Sequence, residues 1–361
     1  MKVSVMMVTY NHAKYIAQAI DSVLMQETDF PYELVIGEDC STDGTREIVM
    51  DYQRRYPTKI RLLLSEQNLG ARANGRRTQR ACRGEYRAIL EGDDYWTDPH
   101  KLQKQVDFLE SHPECSMCYH NVEVLYEDGS RATRLRNSPD QKPLFSLEDI
   151  LVDNPVTTCS VVYRNDLIGE LPESYRQLVM GDWPMWVWLA RQGQLAYMND
   201  VMACYRVHSR GVFSSKSLTE WLPGRLAAYD VIDRELGFAY HSLVQQGKAR
   251  WVQMAAQDYL REAVASSDLE EALPAYRSLF GQYKDLDAKL MRQVLGTLYA
   301  KFFFHAGRVH DYATVRHCIL GLARYQPSRF LNRGVLSISC EALLGTSLVS
   351  AIRRAIHWVD V

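Results

Sequence analysis

From Ala88 to Trp96 the chain reads A-I-L-E-G-D-D-Y-W, so three carboxylates, Glu91, Asp93 and Asp94, follow directly on an apolar run. Carboxylates this close repel one another, and burying them unpaired is costly. They have two ordinary uses. One is a solvated acidic turn. The other is a site for a divalent cation, because Mg²⁺ and similar hard ions prefer oxygen ligands and share them with phosphates. Gly92 lets the chain turn at the strand end, and the carboxyl ends of strands are where open α/β sheets bind ligands. Farther along, Asp182 stands alone in G-D-W-P, as a general base or as a helix-capping aspartate with Pro184 in the first turn. His208 lies in Y-R-V-H-S-R-G, as a ligand or as a plain loop histidine.

These residues need a scaffold, and the preceding pattern supplies one. Val3 to Val8 is continuously apolar, as in a strand covered on both faces. Ile16, Ile20, Val23 and Leu24 recur at helical spacing. Leu34 to Gly37 and Ile60 to Leu64 read as further strands, each followed by a polar loop and a helix. Strands alternating with helices over the first hundred residues predict a mostly parallel sheet with helices on both faces. Thr157 to Tyr163 and Ala196 to Val207 also read as strands, and Asp128-Gly129 as a hairpin turn. Beyond Ser217 the pattern turns helical, with few strand signals, which predicts a second domain of helical hairpins over residues 218–361.

The chain has 361 residues, 47% hydrophobic and 24% charged, with a formal net charge of −2, which gives no electrostatic case for binding nucleic acid. The opening M-K-V-S-V-M-M-V lacks a secretory pattern, and no apolar run is long enough to span a bilayer. Eight scattered cysteines suit a reduced, cytoplasmic protein better than a disulfide framework. Cys115-x-x-Cys118 with His120 has no second ligand pair to complete a zinc site. No G-x-G-x-x-G follows a strand, which disfavours a dehydrogenase.

Thr9-Tyr10-Asn11, E-D-C-S-T-D-G-T from Glu38, N-L-G-A-R-A-N-G from Asn68 and E-G-D-D from Glu91 occur in one order. With them, residues 1–217 resemble family 2 glycosyltransferases, inverting enzymes of the GT-A, or nucleotide-diphospho-sugar transferase, fold. The resemblance implies that Thr9, Tyr10, Asn11, Asp39, Arg72 and Asp93 contact a nucleotide, with UDP the expected donor carrier. It implies a Mn²⁺ or Mg²⁺ ion on Asp94, Asp93 and His208, with Asp94 the most direct ligand. Glu91 stands where the motif more often has aspartate, which gives it a supporting or ribose-contacting role. Asp182 falls at the catalytic base, although Gly181 replaces the usual glutamate before it. Trp96 and Trp183 are candidates for stacking on an acceptor sugar, or for the core. The acceptor expected by resemblance is a saccharide or lipid-linked saccharide of a bacterial surface polysaccharide such as O-antigen or capsule. A sugar-phosphate nucleotidyltransferase is the other enzyme reading, but T-Y-N-H-A-K lacks the glycine-rich loop it needs. A sugar-nucleotide-binding scaffold without catalysis is the non-enzymatic alternative.

The C-terminal stretch has its own chemistry. Leu343, Leu344, Leu348, Val349 and Ile352 lie near Arg324, Arg329, Arg333, Arg353 and Arg354. A basic amphipathic segment of this kind packs onto its own domain or a second subunit, or lies on an anionic membrane. Peripheral contact with the inner face of the cell membrane, and a homodimer, are therefore both expectations for these helices.

Overall fold

A computed structural model describes residues 1–169, 171–213, 215–266, 274, 278, 280–281 and 288–349. The chain divides into two compact units, Met1–Lys216 with Ala227–Val244, and Ser217–Leu226 with Gln245–Val361.

In the first unit the order is β1 (Val3–Thr9), α1 (Ile16–Leu24), β2 (Tyr32–Glu38), α2 (Thr45–Arg55), β3 (Ile60–Leu64), α3 (Ala71–Ala81) and β4 (Tyr86–Ile89). Then come β5 (Tyr95–Trp96), α4 (Lys101–Ser111), β6 (Cys115–Tyr126), β7 (Arg134–Leu135), β8 (Leu144–Phe145), α5 (Leu147–Val152), β9 (Val162–Arg164), α6 (Asp182–Ala190) and β10 (Gln194–Val207). The sheet runs β3-β2-β1-β4-β9-β6-β10-β5, with β7 on β6 and β8 on β10. The first four strands in that row are mutually parallel, while β9 lies antiparallel between β4 and β6. The sheet is thus mixed, and the strand expected over Thr157–Tyr163 is shorter: Thr158–Ser160 coils into a 3₁₀ turn before β9.

Burial explains the apolar runs. Every residue of β2 is buried, as both faces of a central parallel strand must be. One core joins Val5, Leu34, Ile36 and Ala88 of the sheet to Ile16, Ile20 and Val23 of α1. α3 is drawn onto β2 by Asn74, whose Nδ2 donates to the Gly37 carbonyl at 2.8 Å. That bond sets where the start of α3, and so Arg72, meets the strand ends.

The second unit is built from helices around its own core. α7 (Leu218–Glu235) begins in this unit, and α8 (His241–Ser266), α9 (Ala288–Arg308), α10 (Tyr312–Tyr325) and α11 (Arg333–Leu344) follow. Leu226, Val252, Phe302, Phe303, Val315 and Leu322 meet at its centre. No helix among the described residues is long and apolar enough to cross a membrane. Ile352, Arg353 and Arg354 of the basic stretch lie outside the described residues.

Candidate active site

The site forms where β1 and β4 end side by side. Their parallel register, Val3↔Tyr86 to Met6↔Ile89, continues through Leu90 N–H to Met6 O (3.0 Å) and Gly92 N–H to Val8 O (3.1 Å). Residue 92 has no room for a side chain. A Cβ there would lie 2.8 Å from Thr9 Oγ1 and 2.9 Å from His12 Nδ1. The glycine therefore lets the acidic turn press against the loop after β1.

Side chains lash three loops together. Asn11, at a left-handed φ of 56°, accepts the Thr42 N–H on Oδ1 at 2.8 Å. His12 N–H donates to Thr45 Oγ1 at 2.8 Å, and Ala13 N–H to Asp43 Oδ2 at 3.0 Å. Asp39 accepts the Leu69 and Gly70 N–H groups, each at 2.9 Å, one on each oxygen. Asn11 and Asp39, expected as nucleotide contacts, thus build the loops that carry the site. Thr9 is buried with Oγ1 unpartnered, while Tyr10 is 41% exposed beside it.

The three carboxylates separate into three environments. Asp93 Oδ2 lies 3.1 Å from His208 Nε2 and 3.7 Å from His12 Nε2. Burial works against ionising Asp93, but the His208 hydrogen bond and the charges of both histidines outweigh it and lower its pKa. Asp94 is buried, and its Oδ1 accepts the Arg206 N–H at 2.8 Å. Burial, then the charges of Asp93 and Glu91, raise its pKa well above its ordinary value. Glu91 has a buried, unpartnered Oε2, and burial followed by repulsion from Asp93 pushes it up to about 8. Asp93 thus faces the two histidines, while Asp94, expected as the most direct cation ligand, accepts from the Arg206 amide.

Two residues here were not singled out by sequence reasoning. Burial lowers the pKa of His12, against the pull of Asp93. Arg206 Nη1 donates to the Asp93 carbonyl at 2.7 Å, Nη2 bonds Gln18 Oε1, and the guanidinium lies 4.6 Å from the Tyr95 ring centroid. The signal was present: Arg206 and His208 are two apart at the end of a strand, so they share a face.

Asp182 is the first residue of α6, with Gly181 as the N-cap. Its charge acts on Glu91 and on Arg72, so the lone carboxylate and the acidic turn belong to one locus. Arg72 Nη2 donates to the Tyr175 carbonyl at 2.7 Å, and its buried Nη1 has no partner. A Cβ at position 181 would sit 2.4 Å from that Nη1. The guanidinium tip occupies the space where a side chain at 181 would start, so such a side chain would have to displace it. Burial, then the charge of Arg76, lowers the Arg72 pKa, and Asp182 opposes this.

Neither tryptophan is available to a sugar. Trp183 is 1% exposed, its Nε1 donates to Ile150 O at 2.9 Å and its ring lies 4.2 Å from that of Tyr229. Trp96 is equally buried and donates to Cys159 O at 2.8 Å. Both are core residues whose indole N–H is satisfied inside.

Among the described residues no three His, Cys, Asp or Glu side chains converge tightly enough to hold a metal by themselves. Asp93 and His208 nevertheless fit a cation of the magnesium type, which is usually held by one or two protein groups and completes its shell with phosphate oxygens and water.

A mixed sheet with four parallel leading strands, an acidic turn after β4 and a lone aspartate opening α6 defines a GT-A fold. Residues 4–169 match the family model described as Glycosyl transferase family 2. Rv1520 of Mycobacterium tuberculosis (strain ATCC 25618 / H37Rv) is 40% identical over 213 residues, which cover 59% of this chain and 60% of that protein. The chain therefore spans less than two thirds of that relative. S. aureus TarS 1-349, solved in complex with UDP-GlcNAc, superposes with a TM-score of 0.53 at 20% identity, over 88% of this chain and 90% of that one. Mannosyltransferase PcManGT from Pyrobaculum calidifontis, solved with GDP-Man and Mn²⁺, has a TM-score of 0.50 at 18% identity over 84% and 86%.

Proposed function

We propose that the protein is a cation-dependent inverting glycosyltransferase that moves a sugar from a UDP-linked donor to a hydroxyl of a saccharide or lipid-linked saccharide, in building a bacterial surface polysaccharide. The observation that carries this reading is the pairing of an ionised carboxylate between two histidines, Asp93, with a separate carboxylate, Asp182, electrostatically linked to the same turn. UDP is the preferred carrier because the TarS structure holds UDP-GlcNAc on this fold. Eight free cysteines support a reduced, cytoplasmic setting.

Asp93 and His208 would hold the divalent cation, which supplies charge neutralisation for the leaving diphosphate. The rest is the work of the chain itself. Asp182 takes the proton from the acceptor hydroxyl, a contribution of about 10²–10⁴ in rate. Attack from the side of Asp182, opposite the leaving group, inverts the anomeric carbon. Glu91, with its pKa near 8, keeps its proton at neutral pH and donates it in a hydrogen bond to a ribose oxygen. Tyr10 supplies the exposed surface for the base, and Asp39 and Asn11 hold that surface in place.

Thermal unfolding with UDP, GDP, dTDP and CDP, each with and without Mn²⁺, tests this on wild type and Asp93→Asn. Saturation at ~100 times Kd adds ~2.7 kcal/mol. The expected result is stabilisation by UDP that requires Mn²⁺ and vanishes in the variant. Absence of a shift with every nucleotide overturns the transferase reading.

A further inference from the structure

The helical unit carries exposed leucines and arginines outside its own core. Scattered leucines are normal on a protein surface, but a cluster marks a contact. On α11 the buried positions are Val335, Ser339 and Ala342, and the neighbouring stripe at the same spacing, Leu336, Cys340 and Leu343, is exposed. Leu344 and Leu348 extend it in solvent. Leu331, just before α11, is 86% exposed, and Leu320 on α10 is 76% exposed. α10 and α11 are joined where Arg316 Nη1 donates to the Ala342 carbonyl at 3.0 Å, so the leucines decorate one packed helix pair.

The charges beside them are of one sign. Arg324, Arg329 and Arg333 are exposed, and between Tyr312 and Val349 the only acidic residue is Glu341. A two-fold interface between copies would set this patch against itself and bring arginine to arginine. Leucines among arginines with almost no acids match instead a layer that is apolar below and anionic at its surface. The arginine stems can lie along the apolar boundary while their heads reach phosphate. We infer that α10, α11 and the turn between them form a docking surface for an anionic lipid membrane. The inference stands apart from the donor-site chemistry, so failure of either leaves the other in place.

The test is co-sedimentation of the full chain with vesicles of phosphatidylcholine alone and of phosphatidylcholine with phosphatidylglycerol. One variant joins Leu331→Ser, Leu336→Ser and Leu343→Ser; the other joins Arg324→Gln, Arg329→Gln and Arg333→Gln. All six side chains are exposed, so both variants should keep the wild-type unfolding midpoint and circular dichroism. The expected result is partition onto the anionic vesicles, weakened about fivefold per arginine removed and by added salt, and lost with the leucines. Three results overturn it: no partition onto anionic vesicles, partition equal in wild type and both variants, or a lipid-free dimer by light scattering that the leucine variant dissolves.

Discussion

Two clusters of buried titratable groups lie in the first unit, one at the strand ends and one behind it. At the strand ends, Asp93, His12, His208 and Glu91 keep orphaned or charge-facing atoms: Glu91 Oε2 and His12 Nδ1 have no partner, and Asp93 is ionised between imidazoles. Behind it, Lys101 is fully buried, donates to Gln105 Oε1 at 2.6 Å and lies 4.1 Å over the Trp96 ring. Burial lowers it to about 7, and His120 beside it is driven well below its ordinary pKa, first by burial and then by the lysine. Shifted titration alone does not separate the clusters. The difference is access: the first lines loops after strands, the second is sealed under α4 and the sheet. A perturbed group becomes chemistry only where a substrate can reach it.

Substitutions sharpen this contrast. The largest effect belongs to the open cluster: Asp182→Asn should lower kcat by about 10²–10⁴ while leaving Mn²⁺-dependent stabilisation by UDP intact, read by donor turnover and thermal shift together. Loss of the UDP shift in this variant would reassign Asp182 to binding. In the sealed cluster Lys101→Met should leave turnover unchanged and alter stability. The unfolded lysine holds its proton up to about 10.5 and the folded one releases it near 7, so wild-type stability rises with pH across that window. The slope is at most about 1.4 kcal/mol per pH unit. Urea melts from pH 7 to 10 should show that slope in wild type and a flatter curve, more stable at pH 7, in the variant. Between the clusters, Asp94→Ala strands the buried Arg206 N–H and should cost about 1–3 kcal/mol in a chemical melt. Trp183→Phe removes the bond to Ile150 O, itself worth about 0.5–1.5 kcal/mol, together with part of the buried ring's packing, and should leave KM for any acceptor unmoved.

The apolar runs and the turns after them were legible because period and punctuation reflect backbone physics. Val3–Thr9, Tyr32–Glu38 and Ile60–Leu64 appear as strands where the pattern requires them. Which of two adjacent aspartates faces the loops was not legible. Asp93 and Asp94 are alike in sequence; their roles part because Tyr95 and Trp96 pair with Cys204 and Ala203, which brings the Arg206 amide to Asp94. The tryptophans stayed open between two roles for a related reason: next to a site, a ring that stacks on sugar and a ring that fills the core have the same local sequence. Tertiary neighbours such as Tyr229 decide it.

The close fit of Arg72 over Gly181 couples these two positions, because any side chain at 181 requires the guanidinium to move. Glutamate introduced at 181 would push the guanidinium tip aside and set a carboxylate next to an arginine nitrogen that has no partner, so the exchange trades a rotamer change for an ion pair.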